Sequence, residues 1–159
     1  MAIISDKQKT RGDSLKAFKR RHILSAAKRL FDSQGMDGLN MREIAKEAGY
    51  SLGAAYAYFR TKEEIQYELL AGVLNDLTRQ LRSALSTMPI NEPAQAPFIL
   101  FLKYFRNHPQ EKQLLLFVLP DLGATAQKIP YHVRTVLNGR LLALMGLLAN
   151  GLHQSGHSS

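Results

Sequence analysis

Apolar residues recur along this chain at helical spacing, and nowhere do they alternate as half-buried strands do. Between Ser14 and Gln34, residues Ile23, Ala27, Leu30 and Phe31 fall at i, i+4, i+7 and i+8, one face of a helix. Gly35 follows as a stop, and Met36–Leu39, with Gly38, is a connector. Asn40 with Glu43 three residues later is a capping-box pattern that opens a short helix. Its apolar face is Met41, Ile44, Ala45 and Ala48, and Gly49 ends it. Ser51 suits the N-cap of a second short helix, Leu52–Phe59. Thr61 with Glu64 repeats the capping pattern and opens a long helix over Lys62–Ser86. Leu70, Val73, Leu74, Leu77, Leu81 and Leu85 stripe it, and Pro89 bounds it.

The remainder is also helical. Pro97–Asn107 is apolar and aromatic, and Pro109 suits the first turn of a helix reaching Leu119. Asp121–Lys128 is a connector, and a Leu-rich helix is expected from Pro130 to Leu152. Residues 1–13 are polar and basic without an apolar period, which reads as a flexible arm. Gln154–Ser159 is a polar tail. No internal repeat is present, and the fold class is all-α.

Composition sharpens this picture. The 159 residues are 45% hydrophobic, enough to bury a core. The absence of Cys removes disulfides and thiolate metal sites. No run of ~18 apolar residues suggests a membrane span, and Met1–Asp13 is too polar for a signal peptide, so a cytoplasmic location is expected. The net charge of +8 is unevenly placed. Residues 1–62 hold thirteen Lys/Arg against six Asp/Glu, a balance of +7, while residues 63–159 are almost neutral. This asymmetry points the N-terminal part toward a polyanion, either nucleic acid or an anionic membrane surface.

Two short helices joined through Gly49–Ser51 suggest a helix-turn-helix. Ala45 and Ala48 let the two helices approach closely, and Gly49 permits a sharp turn. Gly53, Ala54 and Ala57 give the second helix little bulk, so its backbone can come close to a groove floor. Ser51, Leu52 and Ala54 are best placed to reach base edges. Of these, Leu52 and Ala54, like Ala57, offer only apolar contact, as to a thymine methyl. Arg42 is a candidate for DNA backbone or guanine. Lys7, Lys9, Arg11 and Lys16 make the arm a candidate for minor-groove or phosphate contact.

The stretch Ile23–Ile65 resembles the DNA-binding domain of TetR/AcrR-family transcriptional regulators. The resemblance is carried by Ala26–Ala27, Leu30–Phe31, Gly35, Ile44–Ala45, Ala48–Gly49, Ser51, Gly53, Tyr56, Phe59, Lys62 and Ile65. It implies that Leu52–Phe59 is a recognition helix and that Tyr56 and Lys62 contact phosphates. A cation at the start of a helix fits, because free N–H groups and the helix dipole also favour an anion there. The hydroxyls of Tyr56 and Tyr58 can donate to phosphate oxygen, although Tyr58 equally suits an ordinary packing role.

The resemblance further implies a domain plan: a basic arm over 1–13, a three-helix DNA-binding domain over 14–61 and a helical regulatory domain over 62–159. The last would bind a small molecule and form a homodimer. It is short for the family, so either the last two family helices are missing after Gly151–Ser159, or Tyr131–Leu152 is itself the dimer helix. Phe98, Phe101, Tyr104, Phe105, Phe117, Tyr131 and Met145 are candidates to line a pocket for an apolar or aromatic effector, their alternative being core packing. The implied function is a small-molecule-responsive repressor that binds a palindromic operator in double-stranded DNA, with no cofactor, metal or enzymatic activity expected.

Other readings compete with it. A basic helical protein that binds membranes or partner helices accounts for the charge but not for the pattern from Ser51 to Lys62. Gly49–Gly53 fits G-x-S-x-G, the nucleophile elbow of serine esterases, with Ser51 as nucleophile. That motif needs a strand before the serine, and here a helix is expected. His153 and His157 have the i, i+4 spacing of helical metal ligands but lie in a polar tail without a carboxylate. His22, His108 and His132 are isolated.

Overall fold

The computed structural model describes residues 2–89, 95–123 and 127–155, with side chains over 9–89, 95–123 and 127–150. Every regular element among them is helical: α1 (Ala2–Gln34), α2 (Met41–Ala48), α3 (Leu52–Tyr58), α4 (Lys62–Ser86), α5 (Ala96–Asn107), α6 (Pro109–Val118) and α7 (Tyr131–Ser155). Short 3₁₀ turns occupy Gly35–Gly38 and Leu119–Asp121. The chain divides into two compact units, Met1–Ile65 and Gln66–Ser159, with the division inside the first turn of α4.

In the first unit α1 packs on α2, and α2 on α3. The face of α1 expected from the periodicity, Ile23, Ala27, Leu30 and Phe31, is buried, as is Ala26. So is the face of α2 made by Met41, Ile44, Ala45 and Ala48. Two glycines set the connector before α2. Gly35 takes φ +68°, which favours a residue without a Cβ. Gly38 lies so close to α1 that a Cβ there would meet the Leu30 carbonyl oxygen at 2.8 Å.

The flexible arm expected over residues 1–13 is a correction. Those residues from Ala2 onward are the first turns of α1. Residues 9–18 are helical yet exposed, so no apolar face marks them in the sequence. Nucleation is the costly step of helix formation, and the packed turns from Ile23 onward provide it. Elongation into Lys- and Arg-rich sequence then needs no core.

The second unit is built from the rest of α4 with α5, α6 and α7, and α5 packs against both α6 and α7. The α4 stripe is buried from Leu70 to Leu81, while Leu85 is half-buried. Leu114 and Val118 of α6 and Val133, Leu137 and Leu144 of α7 are buried too. The buried hydroxyl of Thr78 donates to the Leu74 carbonyl at 2.8 Å, so it is satisfied within its own helix.

Candidate nucleic-acid interface

Local chemistry fixes both ends of α2. Asn40 is extended, and its Oδ1 accepts from the Glu43 N–H at 2.9 Å, satisfying one of the free donors at the helix start. At the other end Gly49 takes φ +74°, and its N–H donates to the carbonyls of Ala45 and Lys46. The Tyr50 N–H donates to the Ala45 carbonyl at 2.9 Å. This left-handed cap reverses the chain in a few residues. Ser51 starts the next helix: its Oγ accepts from the Ala54 N–H at 3.1 Å.

The second short helix is anchored on one side and open on the other. Ala55 and Phe59 are fully buried. Phe59 lies just past the last helical residue, so α3 ends at Tyr58, one residue before the expected boundary. Phe59 turns extended there and carries its ring into the core. On the open side Leu52, Gly53, Tyr56 and Ala57 are exposed, and Ala54 and Tyr58 are half-buried. A Cβ on Gly53 would meet nothing within 4 Å, so the protein itself does not crowd that edge. Tyr56 is 47% exposed.

The turn into α4 is the most constrained part of the unit. Thr61 Oγ1 accepts from the Glu64 N–H at 3.2 Å, and Glu64 Oε2 accepts from the Arg60 N–H at 3.0 Å. Glu64 is only 3% exposed. Its other oxygen, Oε1, accepts from Arg20 Nη2 of α1 at 2.9 Å. The same guanidinium lies 4.3 Å from the centre of the Phe59 ring. A carboxylate at a helix N-terminus is favoured by the dipole, and here it also ties α1 to the turn. Lys62, between these groups in sequence, is exposed.

The sequence-expected DNA residues thus occupy one short stretch with a free edge, Ser51 to Tyr58, plus the exposed Lys62 and the exposed Arg42 in the first turn of α2. Sequence reasoning missed Arg20 and the buried role of Glu64. The capping pattern of Thr61 and Glu64 marked Glu64 as a cap, but no local signal pairs it with a residue 44 positions away.

The esterase geometry does not form around Ser51. Helix α2 and a turn precede it, not a strand, and its Oγ is the cap acceptor of α3. His157 and the side chain of His153 lie outside the described residues. Among the described residues no group of three or more His, Cys, Asp or Glu is placed to hold a metal ion.

The seven residues expected to line an effector pocket differ in exposure and in their ring contacts. Phe98, Phe101 and Phe105 form a chain of edge-on rings along α5, and Tyr104 and Phe105 are buried. Phe117, Tyr131 and Met145 are more than half exposed. The second unit contains a groove of about 200 Å³ between Leu77, Leu81 and Ala84 of α4 and Leu100, Tyr104 and His108 at α5. Of the seven, Tyr104 alone lines it. Composition named aromatic residues, but the direction of each ring depends on helix packing that the sequence does not spell out.

Comparison with known proteins places these features. Residues 23–69 match the bacterial regulatory proteins of the tetR family. The chain is 44% identical over 50 residues to the HTH-type transcriptional regulator AcrR of Shigella flexneri, covering 31% of this chain and 23% of that protein. It is 47% identical over 47 residues to the HTH-type transcriptional regulator PksA of Bacillus subtilis, covering 30% of this chain and 23% of that one. The chain therefore spans about a quarter of the length of these relatives. A putative tetR family transcription regulator from Shewanella sp. PV-4 has a similar fold, with TM-score 0.53 and 23% identity over 88% of this chain and 71% of that one. A TetR-family transcriptional regulator from Bordetella parapertussis is similar at TM-score 0.52 and 22% identity, over 85% and 67%. It is thus the N-terminal helix-turn-helix unit, and not the whole chain, that matches the tetR family of bacterial regulatory proteins.

Proposed function

We propose that this chain is a cytoplasmic DNA-binding transcriptional regulator, a small-molecule-responsive repressor that reads a palindromic operator as a homodimer. The observation that carries the reading is the free edge of α3. A helix held from behind by Ala55 and Phe59 leaves small residues and one large aromatic residue facing solvent. In this reading α3 enters the major groove. Ser51, Leu52 and Ala54 reach base edges, while Gly53 and Ala57 let the backbone approach. Tyr56, Tyr58 and Lys62 meet phosphates, and Arg42 meets backbone or guanine.

Two copies would set their recognition helices ~34–36 Å apart in successive major grooves. Exposed apolar residues on α7, including Val136, Leu142 and Met145, support an association surface in the second unit. The groove beside Tyr104 supports an apolar or aromatic effector there, and α4, which runs through the division between the units, is the covalent route between effector and DNA.

The test is titration of a DNA duplex across a range of salt, with light scattering on the same sample. Wild type should bind as a pair of 17.8 kDa chains. Lys62→Ala should weaken binding to every sequence and lower the salt slope by about one unit. Unchanged affinity and slope in Lys62→Ala would remove the phosphate role of Lys62. A wild type that binds no duplex would remove the whole reading.

A further inference from the structure

The exposed N-terminal half of α1 has a sidedness that a charge count does not reveal. Lys9, Lys16, Arg20 and Ala27 stand at i, i+7, i+11 and i+18, which places them along one line of a helix. Ala27 is fully buried, and Arg20 is held by Glu64 and the Phe59 ring. The packed face of α1 therefore continues beyond the core of the first unit as a basic edge. That edge leaves the packed core at Arg20, beside the turn that carries Lys62. Lys16 stands about 6 Å and Lys9 about 16 Å farther along the axis. Both are exposed, and neither makes an ion pair among the described residues. Residues 9–21 hold six Lys/Arg against Asp13 alone. The opposite edge carries the exposed Leu15 and Phe18, so the two edges differ in chemistry.

We propose that the N-terminal half of α1 is a rigid rail for the sugar–phosphate backbone of duplex DNA, with Lys9 and Lys16 contacting phosphates in line with Lys62. The inference rests on the DNA-binding reading above and extends it beyond the helix-turn-helix. The partner is a phosphate backbone rather than a base edge, because charge complementarity is the only recognition chemistry this edge offers. The role of Arg20 is positional: its hold on Glu64 and Phe59 fixes the rotation of α1, and that rotation aims Lys16 and Lys9.

The experiment compares two double variants of the full chain that remove equal charge. Lys9→Gln with Lys16→Gln strips the rail edge, and Arg11→Gln with Arg21→Gln strips other faces of the same helix. All four positions are exposed, so equal thermal midpoints and helix content should hold across the set. Each protein is titrated with a mixed-sequence DNA duplex across salt. The rail double should lower the salt slope by ~1.8 and weaken binding ~60-fold at 0.1 M salt, fading toward 1 M. The control double should lose less than half of that slope. A third variant, Ser14→Pro, keeps every charge but lets the helix restart at residue 14, and should lose about 0.9 of the slope as Lys9 leaves register.

Equal losses in the two doubles would overturn the rail in favour of long-range attraction. An unchanged slope in the rail double, with Lys62→Ala still weakening binding, would overturn the rail and leave the DNA reading standing. A wild type without salt-dependent duplex binding would overturn both.

Discussion

Arg20 Nη2 lies 2.9 Å from Glu64 Oε1, and this pair joins the exposed half of α1 to the turn between α3 and α4. Glu64 is the buried partner. It accepts from the Arg60 N–H as well, so its two oxygens hold two different segments. The pair is a long-range polar tie that fixes both the exit of α3 and the start of α4.

Removing either partner should be costly in an unequal way. Arg20→Ala leaves the Glu64 carboxylate buried with only backbone donors, and should destabilise the first unit by about 2–3 kcal/mol. Replacing both, as Arg20→Met with Glu64→Gln, should cost clearly less than the sum of the single changes, because no unpaired charge is left. Urea unfolding of the two singles and the double measures this coupling. Additive single losses would mean that the two side chains act independently.

Two glycines should respond differently to the same added methyl group. Gly49 sits at φ +74° with open space around it, so Gly49→Ala should cost only backbone strain, about 1 kcal/mol. Gly38 has no strained φ, but a Cβ would strike the Leu30 carbonyl oxygen at 2.8 Å. Gly38→Ala must push the connector off α1, at about 2 kcal/mol or more. Thermal melts of both variants rank them, and a Gly49→Ala loss larger than that of Gly38→Ala would contradict the close approach.

These examples mark how far the sequence could be read. The caps at Asn40, Ser51 and Thr61 were legible because capping is local chemistry within three residues. The buried faces of α1, α2 and α4 were legible because periodicity reports a packed side. The first turns of α1 were not, since a solvated helix has no period. Gly38 read as a mere connector residue, because its constraint comes from the Leu30 backbone across the interface with α1. Arg20 looked like one of many cations until folding set it against Glu64. The aromatic residues from Phe98 to Met145 could be counted but not aimed.

Tyr104 predicts a pH dependence. Burial, then its hydrogen bond to Glu111 and that carboxylate's charge, push the phenol well above its ordinary 10.0. The folded state therefore holds this proton at pH values where the unfolded chain releases it. The stabilisation is fully present below pH ~10 and is lost as pH rises from there toward the folded value. Urea midpoints should fall above pH ~10 in wild type and fall less steeply in Tyr104→Phe. Parallel curves for the two proteins would show that the phenol does not carry the slope.

Gly53 separates packing from recognition. It lies in the first turn of α3, exposed, with ordinary helical φ and nothing within 4 Å of the place a methyl group would take. For the isolated protein Gly53→Ala should be neutral or stabilising by a few tenths to ~1 kcal/mol, since Ala loses less backbone freedom in a helix. In the proposed DNA complex the same methyl group would stand between the helix backbone and the groove. If α3 lies close against DNA, affinity should fall about tenfold or more while the thermal midpoint holds or rises. The two quantities moving in opposite directions cannot come from misfolding. Equal DNA affinity in Gly53→Ala and wild type would mean that the N-terminal turn of α3 stands clear of the duplex, with Tyr56 and Lys62 left as its nearest contacts.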